Sequence, residues 1–410
     1  MKQKILLLAN IYPDPNLNVL NSTSVCHYFV REWVKMGYDV KVIYNYTVYT
    51  RLLHFVSFFF EFFIANWAVS SVNTHRQVEI KKYIIDNVKV EKIPIYKFLP
   101  RTKFPKKSIL KQVNNIIESN QKDNFSPDII IGHFHNPSLE LVNLLKKEYE
   151  AKTCVVLHGD TNNIRKIYKN NFSKMIDNID IWGYRSNSIG KNFESIYGVQ
   201  KQSFICYSGV PEIYLKEPNK KIFKDKIQNF IYVGTLIKRK HPLSLIYALD
   251  KVYQNKKFSL TFVGQGAEKK MIIKSIKNLN LLSNVRFSGH VSRKEVSTQI
   301  EISECFIMIS EGETFGLVYL EAMAKGCITI GSRNEGIDGV IVDGINGFLC
   351  EAGNHNELAS IIRKINTLTN EEKNKISLNA IQTASNMTDY KIAKKYIETV
   401  RDYKKKKKIF

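Results

Sequence analysis

The chain has 410 residues, which is more than one ordinary hydrophobic core accommodates and suits two domains of about 200 residues each. Its hydrophobic content of 44% is ordinary for a globular protein, and its formal net charge of +23 favours anionic partners such as nucleotide phosphates, nucleic acid or anionic lipid. Lysine supplies most of the positive charge, and because base readout and phosphate clamps depend mainly on arginine, specific nucleic-acid binding is not favoured.

The six cysteines are widely scattered and show neither a Cys-x-x-Cys motif nor a paired spacing typical of a metal site. We therefore expect buried thiols in a reducing compartment. The apolar run at residues 4–9 follows a charged start, but it is short and leads directly into an α/β pattern. It predicts a buried first strand rather than an export signal, so a cytoplasmic location is expected.

Short apolar runs alternate with longer amphipathic runs along the first half, which is typical of β-α-β units in a parallel sheet covered on both faces. A helix is predicted from about residue 23 to 36, ending at Gly37. The predicted strands of this half are residues 4–9, 40–44, 128–133, 153–158, 181–186 and 203–210.

Residues 51–72, RLLHFVSFFFEFFIANWAVSSV, form the most apolar and aromatic stretch and are long enough to span a bilayer. A span is disfavoured because Glu61 would lie near its centre and because parts of the first domain would then lie on opposite sides of the membrane. Two interpretations stay open: a core helix of the first domain, or a helix lying in the plane of an anionic membrane surface. The cations that would assist such docking are Arg51, Arg76, Lys81 and Lys82.

A polar, lysine-rich stretch with two prolines predicts a linker over residues 211–228. The alternation then restarts, which predicts a second doubly wound domain over residues 229–385. Its predicted strands are residues 230–235, 260–266, 285–290, 305–310 and 327–332. Residues 386–410 are helical in pattern and are expected to pack back on the first domain, residues 1–210. They end in the lysine run 404–408, which is either a solvated tail or a contact with an anionic membrane surface.

The segment 310–332, SEGETFGLVYLEAMAKGCITIGS, carries the most informative pattern. A buried strand, a glycine-containing turn and a helix N-terminus follow one another, and this geometry directs backbone N–H groups and a positive dipole end toward an anion. The amides of residues 316–318 would face a phosphate. Glu321, about one turn later, could accept from a vicinal diol, and Glu313 could accept from a sugar. Alternatively, Glu321 is a solvated helix position, and Glu313 is an acid near the first turn that only interacts favourably with the helix dipole.

Two carboxylates around a Phe-Gly turn, followed by Glu-Ala-Met-Ala-x-Gly, resemble the signature of glycosyltransferase family 4, also called group 1. Members of this family are retaining enzymes of the GT-B fold, in which two Rossmann-like domains face each other across a cleft, and they use nucleotide-sugar donors. The resemblance implies that Glu313 contacts the donor sugar and that Glu321 holds the ribose hydroxyls. The donor-binding residues that it implies around the pyrophosphate are Thr314, Phe315, Gly316, Leu317 and Val318.

The resemblance continues at residues 232–248, YVGTLIKRKHPLSLIYA, where the family neutralises the donor phosphates. Lys240 occupies the family's lysine position, and its ammonium would assist the departure of a nucleoside diphosphate. The family's arginine position is Thr235 here, so that Arg239 or Lys238 would have to substitute.

Further positions come from the same resemblance. Gly289 and Val291 lie in the family's segment near the nucleotide base. His158 follows an apolar strand at the position whose side chain reaches the donor sugar, which makes it a candidate catalytic residue; the alternative is a core histidine. His133 and His135 also follow a strand and are weaker candidates for the acceptor side.

No Asp-x-Asp occurs in these motifs, and backbone amides and Lys240 already meet the phosphates, so neither an obligatory metal nor a cofactor besides the donor substrate is expected. No enzymic nucleophile is evident. The resemblance therefore implies front-face transfer, in which the donor's own phosphate assists the acceptor hydroxyl while the protein acts by positioning and electrostatics.

The resulting hypothesis is a glycosyltransferase that moves a sugar to a hydroxyl of a growing, lipid-linked glycan in surface polysaccharide biosynthesis, such as capsule, O-antigen or lipopolysaccharide. The first domain would bind the acceptor and the second the nucleotide-sugar, and peripheral attachment to the inner face of the plasma membrane would bring the enzyme to its acceptor. One alternative is a glycosyltransferase for a small soluble acceptor. Another is a basic lipid- or nucleic-acid-binding protein without catalysis, against which the paired carboxylates argue.

Overall fold

The computed structural model divides the chain into two compact units. Unit 1 comprises Met1–Arg185, Ile189–Cys206 and Ile392–Phe410, and unit 2 comprises Ser186–Ser188 and Tyr207–Lys391. The described residues are 2–15, 24–56, 59, 76–100, 102–159, 161–168, 172–215, 221–223, 225–255 and 257–402.

A parallel sheet forms the centre of unit 1. Its strands, in chain order, are β1 (Lys4–Ala9), β2 (Asp39–Val48), β3 (Lys81–Ile85), β4 (Val88–Tyr96), β5 (Ile129–His133), β6 (Lys152–Leu157), β7 (Ile181–Tyr184) and β8 (Ser203–Ile205). Within the described part of the chain they form one sheet of order β3-β4-β2-β1-β5-β6-β7-β8, in which β3 alone runs antiparallel to its neighbour. Leu6 and Leu8 of β1 enter one buried cluster, whereas Ile5 and Leu7 enter another. The sheet therefore separates two hydrophobic cores, as a strand that is apolar on both faces requires.

The hairpin of β3 and β4 is absent from the predicted strands. Ile85 pairs with Val88, so the turn has two residues, Asp86 and Asn87. Both have positive φ, 48° and 63°, which is the backbone of a type I′ turn. An Asp-Asn pair between two runs rich in Ile and Val was the local signal for this hairpin.

Helices cover the sheet of unit 1, and their apolar residues recur at helical spacing. The helices of the first half are α1 (Val25–Lys35), α2 (Lys106–Lys122), α3 (His135–Glu148), α4 (Thr161–Tyr168), α5 (Phe172–Ile176) and α6 (Asn187–Tyr197). In α1, Cys26, Val30 and Trp33 are fully buried, which places positions i, i+4 and i+7 on one face.

Lys97 follows β4 and is a buried lysine, 7% exposed, whose ammonium lies 4.6 Å from the centre of the Phe104 ring. Burial lowers the pKa of Lys97 from 10.5 to about 8, because the charged form is poorly solvated there. Between these two values the unfolded chain binds more protons than the folded chain, so folding stability rises with pH in that window. Below pH 8 Lys97 is charged in both the folded and the unfolded chain, so the folded chain bears the full free-energy cost of the buried charge.

Lys97→Met is therefore expected to raise the unfolding free energy of unit 1 at neutral pH by up to about 3 kcal/mol, since one pKa unit corresponds to about 1.4 kcal/mol. The gain should shrink as the pH approaches 10.5. Urea unfolding followed by tryptophan fluorescence measures it, because all three tryptophans belong to unit 1. Lys111→Met, at an exposed position of α2, is the matched control and should change little. Equal gains at neutral and alkaline pH would show that the buried charge is not the cause.

Unit 2 has its own parallel sheet. Its strands are β9 (Asn229–Val233), β10 (Ser259–Val263), β11 (Val285–Gly289), β12 (Cys305–Ile307), β13 (Ile328–Ser332) and β14 (Phe348–Cys350). In the described part of the chain, their order is β11-β10-β9-β12-β13-β14, and all neighbouring pairs are parallel. Its helices are α7 (Pro242–Val252), α8 (Lys269–Asn278), α9 (Arg293–Glu301), α10 (Leu317–Ala324), α11 (His355–Thr367) and α12 (Asn370–Ser385), and α13 (Asp389–Arg401) begins in unit 2. Strands that alternate with helices in this way form a doubly wound sheet.

The C-terminal helix α13 crosses from unit 2 into unit 1 at Ile392. The Trp33 indole donates a hydrogen bond of 2.8 Å to the Ala393 carbonyl. Tyr396 and Ile397 are buried in the same cluster as Ile5 and Leu7 of β1, so the end of α13 completes one of the two cores of unit 1.

These observations confirm the predicted α/β fold class with two doubly wound parallel sheets. The last predicted strand of the first half is wrong in length, because only Ser203–Ile205 pairs with β7. All six cysteines are buried and free, as expected.

Two segments that were singled out in the sequence lie largely beyond the described residues. Of the aromatic stretch, residues 51–56 and 59 are described and are helical, whereas the remainder of it and the lysine run 404–408 are outside. Within the ranges given above, no helix combines the length and the apolar character needed to cross a bilayer.

Candidate functional site

The loop between β12 and α10 contains the predicted anion site. Gly316 lies at the N-cap of α10 with a φ of +79°, and a Cβ atom at this position would lie 2.4 Å from the ring of Tyr319. Both facts require glycine. The Tyr319 hydroxyl donates to the Met308 carbonyl at 2.6 Å, which ties the first turn of α10 to the end of β12. The amides of Leu317 and Val318 open the helix, where backbone N–H groups have no acceptor within the helix itself.

The remaining loop residues are held by side chains of unit 2. Phe315 is buried, and its ring lies 5.5 Å from that of Tyr207. The backbone N–H of Glu313 donates to the Glu335 carboxylate at 2.8 Å, while Thr314 is half-buried. The loop is thus anchored at Glu313, the predicted sugar contact, and at Phe315.

Lys240 and Glu313, which were predicted from separate motifs, lie beside each other. The Lys240 ammonium is 3.3 Å from the Glu313 carboxylate, and both side chains are largely buried. A lysine whose stem is buried presents its ammonium at a defined place. The pair places one positive and one negative group next to the N-terminus of α10.

Arg239 joins this pair at its exposed side. Its guanidinium is 3.9 Å from the Glu313 carboxylate and 3.4 Å from the carbonyl oxygens of Glu311 and Gly312. The Arg239 carbonyl accepts from the Glu311 N–H at 2.7 Å, so the turn Lys238–Lys240 is fastened to the loop through its backbone. Thr235, at the family's arginine position, is exposed.

The base segment predicted at Gly289 and Val291 begins at the end of β11. The Gly289 carbonyl accepts from the Gly264 N–H at 2.8 Å, and the Gly234 N–H donates to the Val263 carbonyl at 2.9 Å. The carboxyl ends of β9, β10 and β11 are therefore joined through backbone atoms. Val291, two residues later, is half-buried.

Glu321 forms an ion pair with Arg293, which was not among the predicted site residues. The Arg293 guanidinium donates to one oxygen of the Glu321 carboxylate, Oε1, through Nη2 at 2.6 Å and through Nε at 3.1 Å. Glu321 is only 7% exposed, so the alternative of a solvated helix position is wrong. The pattern Ser-Arg-Lys-Glu at residues 292–295 is a capping box and indicates that Arg293 opens a helix, but it does not indicate which carboxylate the arginine meets.

His158 lies in unit 1 and contacts His133. The two rings share a hydrogen bond of 2.8 Å between His158 Nε2 and His133 Nδ1, and the Phe134 ring stacks on His158 with 3.8 Å between centroids. The Tyr396 hydroxyl lies 3.3 Å from His133 Nε2. Burial, followed by the charge of Arg185, lowers the pKa of His133 to about 3. Burial, then His133 and Arg185, also holds the pKa of His158 well below its usual range, so both rings are neutral near pH 7.

The neutral His133 ring predicts acid sensitivity of unit 1. The unfolded chain protonates this ring below about pH 6.5, whereas the folded chain does so only near pH 3, so the unfolding free energy falls as the pH decreases through this window. In His133→Gln the slope should decrease by up to about 1.4 kcal/mol per pH unit, the contribution of one proton. Urea unfolding between about pH 6 and pH 4, with His290→Gln as the exposed control, checks this. An unchanged slope would show that His133 is protonated in the folded chain.

Three possible metal ligands lie together in unit 1. Within the described residues, donor atoms of Cys26, His133 and His158 are within 4.8 Å of one another. The two facing imidazole nitrogens already share a proton, and the guanidinium of Arg185 is close enough to lower the pKa of both rings. Both features disfavour a cation at this place.

The structure thus groups the predicted residues into two sets. In unit 2 it brings Lys240 and Arg239 to Glu313 beside the start of α10, and it joins the base segment to the neighbouring strand ends. In unit 1 it brings His158 to His133, whereas the His135 carbonyl accepts from Tyr168 at 2.9 Å.

Residues 215–383 match the family model described as glycosyl transferases group 1. A segment of 142 residues is 35% identical to N-acetyl-alpha-D-glucosaminyl L-malate synthase of Bacillus anthracis and makes up 35% of this chain and 36% of that enzyme. A longer segment of 275 residues is 28% identical to a glycosyltransferase of Methanocaldococcus jannaschii and covers 64% of this chain and 70% of that protein. The similarity therefore spans about a third of the first relative and about two thirds of the second.

The fold is shared over nearly the whole chain with solved structures. The HepE protein of Anabaena in complex with UDP superimposes with a TM-score of 0.69 at 17% identity, covering 98% of this chain and 100% of that chain. Similarity at this level of identity concerns the fold, and it confirms the predicted GT-B architecture.

Proposed function

We propose that this chain, which carries a glycosyl transferase group 1 domain over residues 215–383, is a nucleotide-sugar-dependent glycosyltransferase. One observation supports this above all others: Lys240 and Glu313 lie 3.3 Å apart beside the N-terminus of α10. A cation, a helix N-terminus and a carboxylate in one place match a pyrophosphate that is joined to a sugar.

The proposed donor roles follow from this arrangement. The amides of Gly316, Leu317 and Val318 hold the pyrophosphate, and Lys240 stabilises the charge that develops as the nucleoside diphosphate leaves. When the phosphates bind, Lys240 turns from Glu313 toward them, and Glu313 is released to accept hydrogen bonds from the donor sugar. Arg239 supplies the positive charge for the phosphates that Thr235 cannot supply, because its guanidinium lies beside the Glu313 carboxylate, as the Lys240 ammonium does.

The chemistry that we propose is retaining and front-face, without an enzymic nucleophile and without an obligatory metal. The acceptor hydroxyl attacks on the side from which the nucleoside diphosphate departs, and its proton passes to the departing phosphate. The neutral His158 acts by position, as a hydrogen-bonding group toward the donor sugar, since its lowered pKa keeps it uncharged near pH 7. Residues 1–210 are proposed to bind the acceptor.

The acceptor that we propose is a lipid-linked glycan of a surface polysaccharide, reached by peripheral binding at the inner face of the plasma membrane. The support is an exposed apolar face: the side chains of Leu52, Phe55 and Phe59 are more than half exposed and recur at helical spacing. The net charge of +23 favours an anionic lipid surface. A small soluble acceptor is the second candidate, because the relative from Bacillus anthracis is named for L-malate.

A donor screen tests the proposed activity. Purified protein is offered UDP-, GDP- and ADP-sugars, and donor hydrolysis and thermal shift are measured. At least one donor should be turned over, and the double variant Glu313→Gln with Glu321→Gln should lose turnover, whereas Glu371→Gln on the exposed start of α12 should not. Neither turnover nor thermal shift with any donor would favour the non-catalytic alternative.

Flotation with vesicles that contain phosphatidylglycerol tests the proposed binding to an anionic membrane surface. Replacing Leu52, Phe55 and Phe59 by Ser should reduce binding. Replacing Leu282, Ile302 and Val342 by Ser removes a similar exposed apolar area from unit 2 and should not. Equal flotation of the two folded variants would favour the soluble acceptor.

A further inference from the structure

The Arg293–Glu321 pair joins two predicted parts of the donor site. Arg293 is the first residue of α9, two residues after Val291 at the end of the base segment, and Glu321 lies on α10 at the proposed ribose position. The glutamate side chain is 9% exposed and the arginine side chain is 40% exposed. A carboxylate this deeply placed depends on its partner, because an unpaired buried charge is costly.

Arg293 is fixed before it reaches the carboxylate. A capping box of Ser292 and Glu295 starts α9, with the Ser292 N–H donating to the Glu295 carboxylate at 2.8 Å. The Arg293 guanidinium lies 5.6 Å from the centre of the Tyr214 ring, and the Tyr214 hydroxyl lies 3.4 Å from the Arg293 carbonyl. Backbone, ring and carboxylate therefore hold the arginine in one position.

The two hydrogen bonds that Arg293 donates to Glu321 end on the same carboxylate oxygen, Oε1. A carboxylate offers about four acceptor sites, two on each oxygen. Two N–H groups of Arg293 occupy the two acceptor sites of Oε1. The acceptor sites of Oε2 are not used by this ion pair. A vicinal diol has two hydroxyl donors, which is the number that Oε2 accepts.

We propose that Arg293 is a positioning residue that holds Glu321 with Oε2 toward the nucleotide and thereby makes the site selective for a ribonucleoside diphosphate over its 2′-deoxy counterpart. This inference rests on the proposed function, in which Glu321 meets the ribose. Without Arg293, the carboxylate rotates toward whatever donor is near and the preference for two hydroxyls is lost. Such selectivity is strong when the acceptor is buried and fixed, because a ligand that lacks the hydroxyl leaves this acceptor without a hydrogen bond.

The experiment compares dissociation constants for UDP, GDP and ADP and for their 2′-deoxy forms, measured by calorimetry with the full chain. The wild type should bind its preferred ribonucleotide about 10- to 100-fold more tightly than the 2′-deoxy form, the range expected for a hydrogen bond to a charged group. Arg293→Met should reduce this ratio to about 3-fold or less, mainly by weakening the ribonucleotide, and Arg293→Lys should restore part of it. Lys294→Met removes the same charge from the same exposed helical turn and should leave the ratio unchanged.

A double-variant cycle separates positioning from folding. If Arg293 acts through Glu321, Arg293→Met added to Glu321→Gln causes no further loss of the ratio. An unchanged ratio in folded Arg293→Met, or an equal loss in both backgrounds, would overturn the inference while leaving the proposed function standing. Absence of nucleotide binding by the wild type would instead overturn the proposed function.

Discussion

Lys240→Met is expected to lower kcat/KM for sugar transfer by about 100- to 1,000-fold, the usual effect of removing one preorganised electrostatic group from a transition state. The Lys240 side chain is largely buried, and its ammonium lies 3.3 Å from the Glu313 carboxylate, at the predicted phosphate site. The loss should fall mainly on kcat, because in the proposed role Lys240 stabilises a charge that increases as the nucleoside diphosphate leaves. Steady-state kinetics with the donor found in the screen measures it.

Two controls separate this loss from a general effect. Lys270→Met removes an exposed lysine of α8 and should keep kcat/KM within about 2-fold. Because Lys240→Met leaves the Glu313 carboxylate without its closest cation, it is also combined with Glu313→Gln, and the combined variant should unfold at the temperature of Glu313→Gln alone. A folded Lys240→Met enzyme with nearly full activity would mean that Arg239 or Lys238 meets the phosphates instead.

Gly264→Ala is expected to destabilise unit 2 by about 3 kcal/mol or more and to abolish nucleotide binding. A Cβ atom at this position would lie 2.1 Å from the carbonyl oxygen of Gly234, and the φ of Gly264 is +137°, which L-residues rarely adopt. The neighbouring atom is backbone and cannot move aside without separating the strand ends. Because the Gly264 N–H also donates to Gly289, the disturbance reaches the base segment.

Gly344→Ala is the matched comparison for Gly264→Ala. Gly344 also has positive φ, +74°, but a Cβ atom there would meet nothing within 4 Å. Its cost should therefore be limited to backbone strain, about 1–2 kcal/mol. Thermal unfolding monitored by circular dichroism, with titration of the preferred nucleotide, distinguishes the two variants. Equal effects would show that the close approach at Gly264 relaxes without cost.

Much of the predicted phosphate site follows from local sequence. The turn at Thr314–Gly316 and the start of α10 were predictable, because a strand, a glycine and a helix within about ten residues allow few geometries. Lys240 could be related to this turn through the family resemblance, and the structure places it there. The functional roles of Glu313, Glu321, Lys240 and His158 stay predictions until they are tested.

Other contacts could not be predicted, since their partners are distant along the chain. Arg293 and Glu321 are separated by 28 residues, and a surface helix rich in charge offers several equally plausible partners for each. His133 is the last residue of β5 and His158 directly follows the neighbouring strand β6, yet in the sequence each resembles an ordinary histidine at the end of an apolar run. Lys97 reads as one surface lysine among many, whereas the ring of Phe104 and the surrounding core bury it.

Apart from the β3–β4 hairpin, the fold class, the alternation of strands and helices and the glycine turn that starts α10 could be predicted from the sequence, because they depend on residue patterns within about 20 neighbours. Three features became evident only in the folded chain: the pairing of Arg293 with the buried Glu321, the contact of His158 with His133, and the burial of Lys97. They could not be predicted because burial and hydrogen-bond partners depend on which strand ends and helix starts are adjacent in space. That adjacency arises only when the sheets are assembled, and no single segment of the sequence is enough to predict it.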